Sequence, residues 1–333
     1  MRGSRGAAAP RAKRADQAAA VPLVLGAAPK AERRRGGTTL IGISSWTEPT
    51  LVKRGNFYPK GVSSAEERLK FYATQFPIVE VDSTYYFPPS ERNAAVWAER
   101  TPKDFTFNIK AYSLLTEHPT KVESLYKDLR EELPKDLLQK KNIYRDKLPT
   151  DVVEEVWKRF EEALAPLHST GKLGCVLFQF PQWFVIGRKS KDYILECKEK
   201  LPKYLIAVEF RQKLWMEERN QEETLAFLQE HDIPYVCVDM PQGFDSSIPP
   251  VAAATSKELA VVRFHGRDPE IWEKKVQTAA ERFRYDYKKK ELEEWVPRVE
   301  ALATEAKETH VVMNNCYENY AVKSARQLAD LLE

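Results

Sequence analysis

Cysteine is scarce in this sequence, and its spacing does not suit disulfide or metal chemistry. Four cysteines occur in 333 residues, at positions 175, 197, 237 and 316, and no two form a Cys-x-x-Cys pair. Two of them lie inside apolar runs, where cysteine acts as a small hydrophobic residue. Neither a disulfide framework nor a zinc knuckle is expected, and a cytoplasmic location fits this cysteine usage.

Long apolar runs and dinucleotide-binding glycine motifs are also missing. No 18 consecutive residues are apolar, so no membrane partner is expected. No Gly-x-Gly-x-x-Gly fingerprint occurs, and therefore neither a nicotinamide nor a flavin cofactor is expected. If the protein is an enzyme, these absences favour a hydrolase or a lyase over an oxidoreductase.

Positive charge is concentrated at one end. Residues 1–36 carry nine Lys or Arg against two acidic residues, while the whole chain has a net charge of only +3. This segment is rich in Ala, Arg and Pro without amphipathic period, which predicts a disordered basic tail; a targeting segment around Val21 to Ala28 is the minor alternative. Residues 37–333 are slightly acidic, which disfavours a broad nucleic-acid surface.

Eight short apolar runs alternate with helix-length charged segments after Thr39. They are LIGIS, IVEVD, FTFNIK, CVLFQF, LIAVEF, YVCVD, AVVRF and VVMNN. This alternation predicts an α/β fold, a single (β/α)₈ TIM-like barrel spanning residues 37–333. The long charged segment 114–172 predicts a helical insertion after the third strand, with breaks at Pro119, Pro134 and Pro149.

Polar side chains stand at the carboxyl end of every predicted strand. Strand side chains alternate, and the fully apolar parity, such as Phe105, Phe107 and Ile109, is expected to face the helices. The other parity faces the barrel interior. It contains Ser44, Glu80, Asp82, Asn108, Lys110, Gln179, Glu209, Arg211, Asp239, Arg263, His265 and one of Asn314 and Asn315. A single buried polar residue usually just forms a hydrogen bond or ion pair with another buried polar group. So many polar residues at one end of the barrel instead predict a functional site at the barrel mouth.

Layering within the barrel predicts how these groups pair. Alternate strands share layers, which places Glu209 beside Arg263 as a buried ion pair. Lys110, Arg211 and His265 lie one layer nearer the mouth. Cations on one side and carboxylates on the other suit a small anionic or phosphorylated ligand and acid–base chemistry.

Aromatic residues and a glycine follow the strands. Tyr85 and Tyr287 are candidates for contact with a flat ligand face, although most loop aromatics simply pack onto the barrel. RFHGRD follows the seventh strand, where barrels of this type often hold phosphate, and Gly266 there is expected to let the backbone approach a ligand.

These residues resemble the motifs of the YecE-like family, a TIM-barrel domain of unknown function. Matching blocks run from about Ile41 to the C-terminus, among them IGISSW, VEVDSTYYFPPS, AVEFR, RFHG and MNNCYENYAVKSARQL. The resemblance implies one TIM-like barrel and no particular reaction. Two departures stand out: Asp82 occupies a position where the family usually has Asn, and TEHPT replaces a Thr-His pair, which leaves the role of His118 open.

The leading interpretation is an enzyme of hydrolase or lyase type acting on an anionic substrate. Glu80, Glu209 and His265 are the candidate catalytic residues. The candidate substrate-binding residues are Lys110, Gln179, Arg211, Asp239, Arg263, Asn314, Asn315, Tyr85 and Tyr287. One divalent metal ion on Glu80, Asp82 or Asp239 is a further expectation. The alternatives are a nucleic-acid-processing barrel resembling metal-dependent repair endonucleases, and a ligand-binding barrel without catalysis.

Overall fold

Eight parallel strands form the central sheet of the computed structural model, which describes residues 32–33, 37–276 and 278–333. The strands are β1 (Thr38–Ser44), β2 (Ile78–Val81), β3 (Thr106–Lys110), β4 (Leu173–Gln179), β5 (Ile206–Glu209), β6 (Val236–Asp239), β7 (Leu259–Phe264) and β8 (Glu308–Met313). Their order is β5-β4-β3-β2-β1-β8-β7-β6. One parallel bridge, Val208 to Tyr235, joins the two edges, so the sheet is nearly closed into the predicted barrel.

The apolar parity of the strands packs against surrounding helices, as predicted. Phe107 on β3 stacks on Trp97, and Phe178 on β4 stacks on Trp157, with ring centroids 6.2 and 6.0 Å apart. Both tryptophans are helical. The opposite parity, which carries the polar residues, is thereby directed into the barrel.

Twelve α-helices are present in the described residues. They are α1 (Pro49–Arg54), α2 (Ala65–Ala73), α3 (Glu91–Glu99), α4 (Lys127–Glu131), α5 (Lys135–Leu138), α6 (Thr150–Ser169), α7 (Arg188–Lys200), α8 (Glu218–Glu230), α9 (Ala279–Arg282), α10 (Lys289–Glu293), α11 (Val296–Glu305) and α12 (Tyr320–Leu332). Within these residues, no helix is long and apolar enough to cross a membrane.

The strand–helix alternation fails at one place. The connection from β6 to β7 contains no helix, whereas the repeating pattern predicted one in most rounds. Pro249 and Pro250 supply no backbone N–H, so a helix through this segment is disfavoured. Instead, the Thr255 hydroxyl accepts from the backbone N–H of Tyr235 and donates to the carbonyl of Ile233, which fixes the connection to β6.

The insertion after β3 is helical, as predicted. It contains α4, α5 and α6 together with a two-residue antiparallel pair, Thr120–Lys121 with Asn142–Ile143. Pro134 and Pro149 are the residues immediately before α5 and α6, where proline's fixed φ is tolerated. The buried face of α6 packs on the barrel through Trp157.

The predicted disordered tail, residues 1–36, lies outside the described residues except for two positions. Glu32–Arg33 form a short strand that pairs antiparallel with Thr38 and Thr39 of β1. Residues 37–333 contain the barrel and its insertion.

Candidate functional site

A cleft of about 630 Å³ opens among the loops at the carboxyl ends of the strands. Its walls are aromatic, formed by Tyr85, Trp183, Trp272 and Phe283, and Gln179 and Arg211 are among its polar lining residues. Trp183 is half exposed, with 51% of its surface accessible. This mixture of flat apolar walls and a few convergent polar groups is typical of small-molecule sites.

Glu209, at the end of β5, is the centre of a hydrogen-bonded network beneath this cleft. Its Oε1 accepts from Gln179 Nε2 and from Arg211 Nε, each at 2.7 Å, and Arg263 Nη1 donates to its Oε2. Glu209 is fully buried. The network therefore joins the buried barrel interior to two residues that face the cleft.

Arg263 bridges the two buried glutamates. Its second terminal nitrogen donates to Glu80 Oε1 at 2.5 Å, and the same oxygen accepts from Ser44 Oγ at 2.6 Å. The predicted ion pair between Glu209 and Arg263 is confirmed, and Glu80 completes it. The register explains the result, because Glu80 lies in β2 opposite Asn108 while Arg263 projects across the interior from β7.

Opposite charges keep this network ionised. Burial alone would raise the pKa of Glu209, but the guanidinium groups of Arg263 and Arg211 hold it well below its usual range. Burial likewise disfavours charge on Arg263, yet Glu209 and Glu80 raise its pKa. Glu209 is therefore a permanent carboxylate at neutral pH.

His265 and Asn314 form the part of the network nearest β8. His265 Nε2 lies 3.1 Å from Glu209 Oε1, and its Nδ1 lies 2.9 Å from Asn314 Nδ2. Burial, followed by the charge of Arg211, lowers the pKa of His265 to about 3, so the ring is neutral. The neutral ring thus lies between Asn314 at Nδ1 and two side chains at Nε2, Glu209 and Arg211, whose Nη2 is 3.2 Å from Nε2.

The adjacent amide has a different task. Asn315 Nδ2 donates to the backbone carbonyl of Tyr285 at 2.8 Å and to Ser324 Oγ at 3.1 Å. Ser324 lies on α12. Of the two asparagines between which the sequence could not choose, Asn314 contacts the buried network and Asn315 fastens a loop to the last helix.

Lys110, at the end of β3, lies next to Tyr85, a residue of the cleft wall. Its Nζ is 4.7 Å from the centre of the Tyr85 ring, and its side chain is partly exposed. Burial and the nearby charge of Arg263 lower its pKa to about 8, although Glu80, Glu209 and Asp82 oppose the shift. Burial also raises the pKa of Asp82, against the attraction of Lys110.

His118 was left undecided by the sequence, and the structure places it in the cleft wall. Its Nδ1 is 2.9 Å from Thr116 Oγ1, and its ring contacts those of Tyr85 and Trp183. Burial, with a contribution from Lys110, lowers its pKa to about 3. A neutral imidazole is thus presented to the cleft.

Asp239 and Tyr287 belong to a second network that is separate from the cleft lining. Both oxygens of Asp239 accept hydrogen bonds: from Tyr287 OH and Trp295 Nε1 at 2.6 Å each, and from Arg267 at 2.7 to 3.1 Å. A substrate-binding role for Asp239 and Tyr287 stays a prediction. In the structure, their polar groups hold the loop after β7.

The expected metal site is not assembled from its three candidates. Glu80 is bound to Arg263 and Ser44, while Asp239 is held by Arg267, Tyr287 and Trp295. Across residues 37–276 and 278–333, no group of three or more His, Cys, Asp or Glu has the geometry to hold a metal ion. Asp82 interacts electrostatically with Lys110.

The glycine after β7 packs closely against two tyrosines. Gly266 has φ +91°, and a Cβ there would lie 2.6 Å from Cβ of Tyr285. Its N–H donates to Tyr287 OH at 2.9 Å. Gly266 thus approaches two tyrosines, and the neighbouring Arg267 is bound to Asp239 and Glu294. A role of this loop in binding a ligand stays a prediction.

The β7–β8 connection supplies cleft residues that no strand pattern indicated. Trp272, Arg282 and Phe283 all line the cleft, and Arg211 lies over the Trp272 ring at 5.1 Å. Arg282 donates to the backbone carbonyls of Trp272 and Lys274. Only the density of aromatic residues in this loop could have drawn attention to it.

The fold is that of a TIM-type barrel protein, with a cleft among the loops at the carboxyl ends of its strands. The chain belongs to the family described as "Protein of unknown function DUF72", whose profile matches residues 40–333. The resemblance to the YecE-like family is confirmed, since that name is a close synonym.

Relatives match over nearly their whole lengths. The UPF0759 protein YunF of Bacillus subtilis is 30% identical over 296 residues, covering 88% of this chain and 94% of that protein. A DUF72 family protein from Enterococcus faecalis superposes with a TM-score of 0.70 at 25% identity, over 88% of this chain and 95% of the other. One from Thermotoga maritima gives 0.68 at 30% identity, over 88% and 98%.

Proposed function

We propose that the protein is an enzyme of hydrolase or lyase type that binds a small anionic organic substrate in the mouth cleft. The observation that carries the proposal is Arg211. It lines the cleft while its Nε is fixed on Glu209 and its guanidinium lies over Trp272. A guanidinium held in this way is preorganised to bind a carboxylate or phosphate.

The buried network positions the binding groups rather than transferring protons. Glu209 stays ionised and its Oε1 is already occupied by Gln179 and Arg211, so it is a poor acid or base at neutral pH. We assign Glu80, Glu209 and His265 the task of orienting Arg211 and Gln179. This differs from the catalytic role that the sequence alone suggested for them.

Proton transfer is assigned to Lys110 and Asp82. Burial lowers the pKa of Lys110 to about 8 and raises the pKa of the Asp82 carboxyl, so both pKa values move toward neutral pH. Groups with pKa values near the working pH are the most effective proton donors and acceptors. Perturbed groups at a cleft are candidate functional residues for the same reason.

Binding is tested with a library of organic phosphates and carboxylates in a thermal-shift assay. We expect some anionic compounds to stabilise the wild-type protein, with apparent affinity at least about tenfold weaker for Arg211→Met, the loss of one charge-assisted pair. The control is Lys213→Met. Lys213 lies two residues after Arg211 in the sequence, is exposed and pairs with Asp245. Equal binding by all three proteins would contradict the proposal.

Turnover is tested by following each stabilising compound with proton and phosphorus NMR. Asp82→Asn and Lys110→Met should lower turnover by about a hundredfold or more, in the range usual for acid–base groups, while leaving binding measurable. Binding without any product would indicate the ligand-binding alternative. A short single-stranded oligonucleotide that displaces the compounds would instead favour the nucleic-acid alternative.

A further inference from the structure

Lys110 is placed where an amine can reach a bound ligand. It is the last residue of β3, so its side chain enters the mouth of the barrel rather than its packed interior. Its Nζ lies over the ring of Tyr85, which itself lines the cleft. The side chain is partly exposed, whereas Asn108, two residues earlier on the same face, is buried.

Two of the three carboxylates that act on Lys110 are bound by other cations. Glu80 is bound by Arg263, and Glu209 by Arg263 and Arg211. Asp82 is the third, and among the described residues none of the three forms an ion pair with Lys110 Nζ. Arg263 contributes a positive charge from below, and neutral His118 stands in the neighbouring wall. An amine so placed is drawn toward its uncharged form, which is the nucleophilic one.

A proton donor stands next to the amine. Asp82 follows β2, the strand paired with β3, and the two side chains interact electrostatically. Burial raises the pKa of the Asp82 carboxyl, which favours its protonated form more than in water. Proton exchange between this carboxyl and the amine can supply both the uncharged amine that attacks a carbonyl group and the acid that protonates the departing oxygen.

We propose that Lys110 forms a covalent imine with a ketone or aldehyde substrate that also carries an anionic group. This inference rests on the proposed function and narrows its substrate class. The anionic group would lie on Arg211 and the carbonyl carbon against Lys110 Nζ. The reaction class becomes a lyase, because a protonated imine accepts the electron pair released when a neighbouring bond breaks.

The condensation balances with the groups on hand. The lone pair of the neutral amine attacks the carbonyl carbon, a C–N bond forms, and a proton moves from nitrogen to oxygen to give a carbinolamine. The C–O bond then breaks, and the departing hydroxide takes from Asp82 the proton that Asp82 had removed from the Lys110 ammonium, and leaves as water. A protonated imine and an Asp82 carboxylate remain, and water reverses both steps to release the product.

The test is reductive trapping with pyridoxal 5′-phosphate, which carries an aldehyde and a phosphate. Wild-type protein is incubated with it at pH 7, reduced with borohydride and mapped by peptide mass spectrometry. Exposed Lys213 and Lys307, each paired with a carboxylate, are references within the same chain. An amine with pKa about 8 is roughly 10% uncharged at pH 7, against about 0.04% for an ordinary lysine.

We expect Lys110 to be labelled at least about tenfold faster than Lys213 at pH 7, and the ratio to fall toward one at pH 10, where ordinary lysines also lose their protons. Labelling of Lys110 no faster than Lys213 would overturn the inference. No variant has to fold for this comparison, since it uses the wild-type chain alone.

A second arm separates the imine from anion binding. Arg211→Met should slow labelling of Lys110 by pyridoxal 5′-phosphate by a larger factor than it changes labelling by neutral acetaldehyde. If acetaldehyde and pyridoxal 5′-phosphate label Lys110 equally and the variant has no effect, the proposal of anion binding at Arg211 is contradicted, while the proposal of a reactive amine at Lys110 is supported. If neither aldehyde labels Lys110 while anions still bind, only the imine is contradicted.

Discussion

Arg263 is the residue on which two buried carboxylates depend. Its guanidinium contacts both Glu80 and Glu209, and all three side chains are almost completely inaccessible to solvent. A buried charge without its partner carries a large desolvation cost. The triad therefore stabilises the fold only as a complete unit.

Substitution of this arginine should be severe. We expect Arg263→Met to lower the free energy of unfolding by about 3 to 5 kcal/mol, the usual cost of breaking a buried ion pair. Urea denaturation followed by circular dichroism measures it. Arg159→Met is the matched control, because Arg159 also contacts two carboxylates, Asp128 and Glu155, but near the surface, where pairs contribute little. Equal losses in the two variants would refute this account of the triad.

His265 should make stability depend on pH. Its pKa is lowered to about 3 in the folded protein, while an unfolded histidine has a pKa of about 6.5. As pH falls below 6.5 the unfolded chain binds a proton that the folded chain does not, so stability decreases. The loss due to this residue is about 2 kcal/mol between pH 7 and pH 5.

Urea titrations at several pH values test this assignment. His265→Gln should remove about that 2 kcal/mol from the difference between pH 7 and pH 5, because the titrating group is gone. His168→Gln, at an exposed position of α6, is the control and should leave the wild-type pH dependence unchanged. A variant at 265 that keeps the full dependence would show that other groups produce it.

At the level of elements, the loop after β7 depends on a glycine. Gly266→Ala should destabilise the protein by about 1 to 3 kcal/mol, because alanine resists positive φ and its Cβ would meet Tyr285. Gly243→Ala provides the comparison, since Gly243 has φ +94° with no atom within 4 Å of an added Cβ. Thermal unfolding should show the larger loss at 266. Equal shifts would mean that strain alone, and not the contact with Tyr285, matters.

The strands were predictable from sequence, but one connection was not. Eight apolar runs with one polar parity were enough to predict the barrel and the Glu209–Arg263 pair, because strand alternation has a fixed period of two. The missing helix between β6 and β7 depends on Thr255 anchoring its segment to β6, a tertiary contact. Sequence periodicity does not encode such a contact.

The residues of the cleft were predicted from the sequence only in part. Lys110, Gln179 and Arg211 were predicted to face the mouth because they lie at or just beyond strand ends. Gln179 and Arg211 line the cleft, and Lys110 lies over the ring of Tyr85 in its wall. Trp272 and Phe283 were missed because they come from an irregular loop, whose path depends on packing. Strand alternation also could not show that the Asp239 carboxylate would accept hydrogen bonds from Arg267, Tyr287 and Trp295.

For the molecule as a whole, two surfaces compete as anion sites. One is the mouth cleft with Arg211. The other is a groove of similar volume in the insertion, lined by Lys121, Arg130, Lys140 and Lys141. The groove has more cations, but the cleft alone combines a guanidinium, held by Glu209, with aromatic walls. Charge density favours the groove and preorganisation favours the cleft.

Crystals soaked in sodium tungstate decide between them directly. Tungstate is a tetrahedral oxyanion whose anomalous scattering locates it without bias toward either surface. Our account predicts a peak in the mouth cleft in contact with the Arg211 guanidinium, and its disappearance in Arg211→Met crystals. A peak confined to the groove of Lys121, Lys140 and Lys141, with the mouth cleft empty, would contradict the assignment of the cleft as the substrate site.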